Sequence, residues 1–99
     1  MLHIKNLDEG LEVFKALGSE IRIQILKLLL ENREMNMNEL ASGLGITNGA
    51  LTSHMKKLEE TGIVKVLTEH EGHGNQKLCR VNVDKILVEI ESRETEGRK

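Results

Sequence analysis

The 99-residue sequence has few of the features that membrane, redox or single-stranded nucleic-acid functions require. Its longest apolar run, residues 28–30, is far shorter than the roughly 18 residues that a membrane span needs. The N-terminus lacks the basic-then-apolar layout of a secretory signal. A single cysteine cannot form an internal disulfide, so we expect a cytoplasmic chain. The one aromatic residue, Phe14, gives no platform for stacking bases.

The sequence also has no proline and little net charge. Helices can therefore extend to their natural caps, and the balance of 14 basic against 16 acidic side chains does not favour a polycationic tail. The length fits one domain, which we expect over residues 1–90, with residues 91–99 as a polar tail or the start of a linker. A chain this short and this rich in aliphatic residues is expected to bury part of its apolar surface against a partner subunit or a missing domain.

Four helices are predicted from capping residues and apolar spacing in the first two thirds of the chain. Asn6 would cap a first helix, Ser19 a second that is apolar nearly all round and therefore central, and Thr47 a fourth. Asn36 followed by Glu39 is typical of a capping box at the start of a short third helix, which continues through Leu40 and Ala41 and is broken by residues 43–45. The apolar faces of the first and fourth helices are formed by Leu7, Leu11 and Phe14 and by Leu51, Met55 and Leu58.

The last third of the chain is predicted to form a β-hairpin and a final helix. Residues 63–68 and 78–83 are typical of strands, and the polar, glycine-containing segment 69–76 would be the loop between them. Asp84 would cap a last helix with Ile86, Leu87 and Ile90 on one side. Two helices joined by a short glycine turn and followed by a hairpin are typical of a winged helix-turn-helix, mostly α with a small β-hairpin.

Several segments resemble the ArsR-type bacterial transcriptional regulators. Residues 17–26 (LGSEIRIQIL) are similar to the "LadptRlrIL" opening of that family, and residues 39–47 to its "eLaealgls" turn. Residues 51–58 (LTSHMKKL) are similar to "vSrHLkkL", and residues 61–64 to "aGLV". The resemblance covers about residues 11–83 and implies a dimeric repressor that binds double-stranded DNA. Residues 74–79 and 84–85 are similar to a subset of these relatives, in which this domain precedes a larger effector domain. That similarity implies that an effector would act through a missing C-terminal domain.

The fourth helix is the strongest candidate for DNA contact. If its apolar stripe faces inward, its polar N-terminal half is free to enter a major groove, where Asn pairs with adenine and Ser or Thr reaches base edges or phosphates. The alternative to DNA contact is a solvated polar helix face, which is normal in any globular domain. Ser53 stands where the ArsR-type relatives commonly carry Arg, which weakens the case for guanine readout. We predict base contacts from Asn48, Gly49, Thr52 and Ser53, and phosphate contacts from Thr47, Lys56, Lys77 and Arg80.

No catalytic, metal or cofactor site is predicted. The sequence has no Gly-rich phosphate loop, Cys-x-x-Cys or His-Glu-x-x-His pattern, so we expect a protein that is not an enzyme. The ArsR-type metal sites are not carried over, because the third-helix segment has no thiol and the predicted last helix has no His. His70 and His73 offer only two imidazoles at a loop tip, where structural zinc needs four ligands, and exposed wing residues are the simpler interpretation. His54 is expected to be a partly buried, satisfied residue, and Cys79 a small apolar one.

The apolar faces of the first and last helices predict a symmetric homodimer, through Leu7, Leu11, Phe14, Ile86, Leu87 and Ile90.

The distribution of charge leaves a second function open. Residues 47–83 have a net charge of only +1, while residues 1–46 carry −2 and residues 84–99 carry −1. Such weak basicity also suits a winged-helix module that binds protein and has no DNA affinity. No membrane partner is expected.

Overall fold

The computed structural model describes residues 1–71 and 74–91. The helices within those ranges are α1 (Leu11–Leu17), α2 (Glu20–Asn32), α3 (Met37–Leu44) and α4 (Asn48–Glu60). The strands are β1 (Leu2–Ile4), β2 (Met35–Asn36), β3 (Val64–Glu71), β4 (Gly74–Val81) and β5 (Ile86–Val88). An antiparallel sheet has the order β2-β4-β3, and β1 pairs with β5 in a separate parallel sheet. Four helices with a small antiparallel sheet confirm the predicted fold class.

Side-chain caps fix the starts of α2, α3 and α4, as predicted. The Ser19 hydroxyl accepts a hydrogen bond from the backbone N–H of Arg22, and the Thr47 hydroxyl accepts one from Ala50. Asn36 and Glu39 form a complete capping box, in which each side chain accepts from the other residue's backbone N–H at 3.0 Å or less. These bonds satisfy amides that would otherwise lack a partner at a helix start.

The core lies between α2, α3, α4 and the inner face of the hairpin. Ile25 and Leu29 of α2, Leu40 of α3 and Leu51 of α4 are fully buried. The prediction that α2 is a central rather than a surface helix holds only in part, because Leu30 is 66% exposed. The helix therefore supports the core on one side and presents the other to solvent.

The predicted first helix begins later than its apolar spacing suggests. The expected cap forms, since the Asn6 side chain accepts from the Glu9 N–H at 2.8 Å, but residues 7–10 form a turn. The backbone N–H of Gly10 is shared between the carbonyls of Asn6 and Leu7 at 3.3 and 3.1 Å, and α1 starts only at Leu11. Glycine favours such a break because it has the lowest helix propensity apart from proline.

The predicted last helix is wrong. Residues 86–88 form β5, which pairs in parallel with β1 in the register Leu2–Ile86, His3–Leu87 and Ile4–Val88. Ile86 and Val88 are partly buried while Leu87 is exposed, which is the alternation of a strand. The Asp84 carboxylate does not cap a helix; it lies 3.3 Å from the amino group of Met1. A sheet partner more than eighty residues away has therefore overridden the local helical pattern.

The hairpin is longer than predicted. Strand pairing continues through Glu69–Gln76 and His70–Asn75 to Glu71–Gly74, so most of the segment expected to be a loop is strand. Residues 72–73, which include His73, lie outside the described residues, as do residues 92–99 of the predicted tail. Within the described ranges, no helix is long and apolar enough to cross a bilayer.

Candidate nucleic-acid interface

The turn between α3 and α4 sets the orientation of the second helix. Gly45 ends α3 in the left-handed region, at φ 69°, and its N–H returns to the carbonyls of the last helical turn. Glycine adopts this conformation without the clash of a Cβ atom. Two residues later Thr47 caps α4. The turn is thus short, with a defined cap at each end, and it sets the orientation of α4 relative to α3.

Helix α4 divides into a buried stripe and an exposed polar face. Leu51, Met55 and Leu58 are at most 2% exposed, which confirms that they point inward. The residues predicted to meet DNA from this helix and its cap are all exposed: Thr47, Asn48, Gly49, Thr52, Ser53 and Lys56. The structure therefore brings these residues together on one accessible surface.

A hydrogen bond ties the start of α4 to the start of α3. The Asn48 Nδ2 donates to the Asn38 Oδ1 at 2.9 Å, and the Thr52 hydroxyl donates to the Asn48 carbonyl at 2.8 Å. Sequence analysis did not single out Asn38. Its position could have indicated it in advance. Asn38 is the second residue of a short capped helix, and a three-residue turn joins that helix to the start of α4.

The two predicted wing cations lie on opposite faces of β4. Lys77 lines a shallow groove with Thr52, Lys56 and Glu59, next to the exposed face of α4. Arg80 is three residues further along the strand and lies near Leu30 and Arg33 at the end of α2. The structure therefore joins Lys77 to the α4 surface and leaves Arg80 apart from it.

His54 connects α4 to the first two helices through Arg22. The Arg22 Nη1 donates to the His54 Nδ1 at 3.0 Å, while the Arg22 Nε and Nη2 donate to the carbonyls of Ala16 and Lys15. Burial, and then repulsion by Arg22 and Lys57, lowers the pKa of His54 below its usual value. His54 is thus a partly buried, satisfied side chain, as predicted, and the neutral ring is the form that accepts from Arg22.

Cys79 is fully buried, and its Sγ donates to the Met37 Sδ at 3.3 Å. Burial, with a smaller contribution from Glu59, raises the pKa of the Cys79 thiol to about 11. The thiol therefore packs as a small apolar group, as expected. Among the described residues no group of three or more His, Cys, Asp or Glu side chains is placed to hold a metal.

The residues predicted to form a dimer interface are mostly exposed. Leu7, Leu11 and Phe14 are 37–49% exposed, Leu87 is 46% and Ile90 is 73% exposed, and Ile86 is partly buried. β1 links the two groups, because it pairs with β5 and packs its Ile4 side chain beside Gly10 and the Phe14 ring. Two separate apolar patches in the sequence therefore lie around one small sheet.

Comparison with known proteins identifies the fold's relatives. Residues 19–65 match a family described as winged helix-turn-helix DNA-binding. The chain is 37% identical over 65 residues to the transcriptional activator HlyU of Vibrio cholerae, covering 66% of this chain and 59% of that one. It is 33% identical over 66 residues to MJ1325 of Methanocaldococcus jannaschii, described as an uncharacterized HTH-type transcriptional regulator, covering 67% of this chain and 74% of that one.

Solved structures agree with these matches. The homodimeric winged helix-turn-helix domain of Mb0332 from Mycobacterium bovis, described as a possible ArsR-family regulator, has a TM-score of 0.65 and 26% identity. That match covers 77% of this chain and 66% of the other. These relatives are described as transcriptional regulators, in agreement with the expectation that the protein is a regulator rather than an enzyme. The chain belongs to the winged helix-turn-helix DNA-binding family of transcriptional regulators.

Proposed function

We propose that this protein is a sequence-specific transcriptional regulator of the ArsR type, which binds double-stranded DNA with α4 in the major groove. The observation that carries the proposal is the exposed polar N-terminal half of α4, held by the Thr47 cap and by the fully buried Leu51 and Leu58. A helix presented in this way fits a major groove, and its first residues then meet base edges.

Base contacts are assigned to Asn48, Gly49, Thr52 and Ser53. Asn48 offers an amide donor and acceptor, and the two hydroxyl side chains are short enough for close approach. Gly49 reads no base, but apart from its own helix backbone and chain neighbours, the nearest heavy atom to the place where its Cβ would be is Thr47 Oγ1 at 4.0 Å, so the helix backbone can approach the groove.

Phosphate contacts are assigned to Thr47, Lys56 and Lys77, which flank the same surface. Arg80 is also assigned a phosphate contact, but on the face of the hairpin opposite to Lys77. Only DNA that extends along that face of the hairpin would reach it. The slope of log affinity against log salt is negative, and each lost phosphate contact reduces its magnitude by about 0.9. We therefore expect Lys77→Ala to reduce that slope more than Arg80→Ala.

The active form is proposed to be a symmetric homodimer. The net charge of −2 makes one protomer a weak ligand for DNA, and a dimer doubles the phosphate contacts. The exposed apolar side chains around β1, from Leu7 to Phe14 and at Leu87 and Ile90, supply a surface for it. Mb0332 is described as homodimeric. The interface should bury on the order of 1,200 Å² or more in total, and sedimentation showing only monomer at tens of micromolar would contradict it.

Repression is the proposed outcome of binding, because a dimer that occupies promoter DNA excludes other proteins from it. HlyU is described as an activator. The expression of a promoter fusion, measured with and without the regulator, therefore decides between repression and activation.

A protein-binding module without DNA affinity is the second candidate. The acidic net charge favours it, as does Glu59 beside Lys77 in the groove next to α4. Fluorescence anisotropy on a random 30-base-pair duplex separates the two candidates. DNA binding at low salt that weakens steeply as salt rises supports the regulator, and no binding at low salt removes it. Lys27→Ala, which removes an exposed cation from α2, is the matched control for Lys77→Ala.

A further inference from the structure

We propose that Asn38 is a positioning residue that holds the Asn48 amide in the orientation that selects adenine and rejects guanine. This inference rests on the proposed DNA binding by α4. It adds a residue outside the recognition helix to the determinants of sequence preference, and it predicts an adenine in each half of the binding site.

The two side chains meet across the helix-turn-helix turn. Asn38 is the second residue of α3 and Asn48 the first residue of α4, and both are exposed. The Asn48 Nδ2 donates to the Asn38 Oδ1 at 2.9 Å. The capping bonds of Asn36 and Thr47 fix the two helix starts that carry them. The amide plane of Asn48 is thus set by a neighbour on a rigid element.

The remaining hydrogen-bonding groups of Asn48 match adenine. A primary amide has two N–H donors and one carbonyl acceptor. With one N–H donated to Asn38, one N–H donor and the Oδ1 acceptor remain for a base edge. Adenine presents an N7 acceptor and an N6 donor in the major groove, whereas guanine presents two acceptors, N7 and O6. An amide that cannot turn would set its Oδ1 against the guanine O6.

Neighbouring residues do not supply the usual guanine contact. The first two turns of α4, residues 48–55, contain no Arg or Lys, the side chains that most often bind guanine O6 and N7. The Thr52 hydroxyl proton is engaged by the Asn48 carbonyl, so this side chain offers acceptor lone pairs and a methyl group. Among the assigned base contacts, only Asn48 carries an amide that can meet two atoms of one base, so we assign the selection between adenine and guanine to this amide and to what orients it.

The test begins with binding-site selection by the full chain from a randomised duplex library, followed by anisotropy titrations on the selected duplex. Asn48→Ala locates the base pair that depends on this side chain. At that position the wild type should prefer A·T over G·C by about 10-fold or more, which is within the range for a bidentate contact. Asn38→Ala should reduce this preference by about 3-fold to 10-fold while the affinity for the other duplexes changes little.

Two further variants separate positioning from a general effect on the helix start. Asn38→Asp keeps an acceptor for the Asn48 amide, so it should retain the preference for adenine while its negative charge weakens binding to all duplexes alike. Asn32→Ala removes an exposed amide at the end of α2 and should change nothing.

Three outcomes would overturn the proposal. A guanine at the Asn48-dependent position contradicts it directly, and so does an adenine preference in Asn38→Ala that stays within twofold of the wild type; DNA binding itself survives both results. A wild-type chain that enriches no sequence and binds no duplex at low salt removes the proposed function, and the inference with it.

Discussion

The helix-turn-helix segment, residues 36–60, and the terminal strands β1 and β5 differ in how far along the chain their stabilising contacts reach. In the first, each helix start is satisfied by a side chain three residues away. In the second, three-residue strands pair with partners more than eighty residues distant. Short two-stranded sheets are marginal alone, so the terminal pair depends on the body of the domain. The proposed DNA-binding surface is built on the region whose structure is set locally.

A matched pair of leucine substitutions tests this difference most strongly. Leu51 of α4 is fully buried, and Leu51→Ala should lower the free energy of unfolding by about 2–5 kcal/mol. Leu2 of β1 is only partly buried, and Leu2→Ala should cost less than half as much. Urea unfolding at one protein concentration measures both. Equal losses would mean that the terminal sheet is as integral to the fold as the core of α4.

A pair of glycine-to-alanine substitutions should destabilise the terminal region and leave the helix-turn-helix segment intact. A Cβ at Gly10 would lie 2.7 Å from both Ile4 Cγ2 and Phe14 Cζ, so Gly10→Ala should cost about 1–3 kcal/mol through overpacking where β1 meets α1. Gly49→Ala is the control, because the nearest atom is 4.0 Å away and alanine favours the helix by up to about 1 kcal/mol. Thermal unfolding should shift in opposite directions. A stabilised Gly10→Ala variant would contradict the close packing of β1.

The cap of α4 has a smaller effect. Thr47→Ala removes the hydroxyl that accepts from the Ala50 N–H at 3.1 Å and should cost about 1 kcal/mol. Thr47→Ser keeps the acceptor and should stay close to the wild type. Chemical unfolding of the three proteins checks the order, and a loss in the serine variant equal to that in the alanine variant would assign the effect to the methyl group.

The same contrast explains which parts of the fold were predictable. Ser19, Asn36 and Thr47 cap helices through bonds of local origin, and the spacing of Leu51 and Met55 predicted the buried stripe of α4. For β5, by contrast, Asp84 and the apolar residues after it satisfied a helix pattern equally well. These residues form a strand only because the fold places β1 beside them, where the two strands can pair.

The proposed DNA-binding surface follows the same rule. Residues on one helix, such as Asn48 and Thr52, could be grouped from periodicity alone. The Asn38–Asn48 bond and the separation of Lys77 from Arg80 depend on how elements pack and on strand register, which a single sequence does not specify.

The smallest expected effect is a pH dependence that originates at His54. Because its pKa is lowered in the folded protein, the unfolded chain binds more protons at His54 as the pH falls below about 6.5. The contribution of His54 to stability is therefore complete above that pH and declines as the pH falls, until the folded ring is itself protonated. Protonation also removes the acceptor for Arg22, so the contact between α2 and α4 weakens together with the free energy of unfolding.

His54→Gln removes the titration while keeping a side chain that can accept from Arg22. Between pH 7.5 and 5.5 its free energy of unfolding should therefore fall less than that of the wild type, as measured by urea unfolding at several pH values. His3→Gln removes a histidine from the terminal sheet, where the ring contacts Glu89, and leaves His54 in place. It should retain the part of the wild-type decline that comes from His54. If His54→Gln declines as steeply as the wild type, the pH dependence arises elsewhere, and the Arg22–His54 contact carries no proton-linked stability.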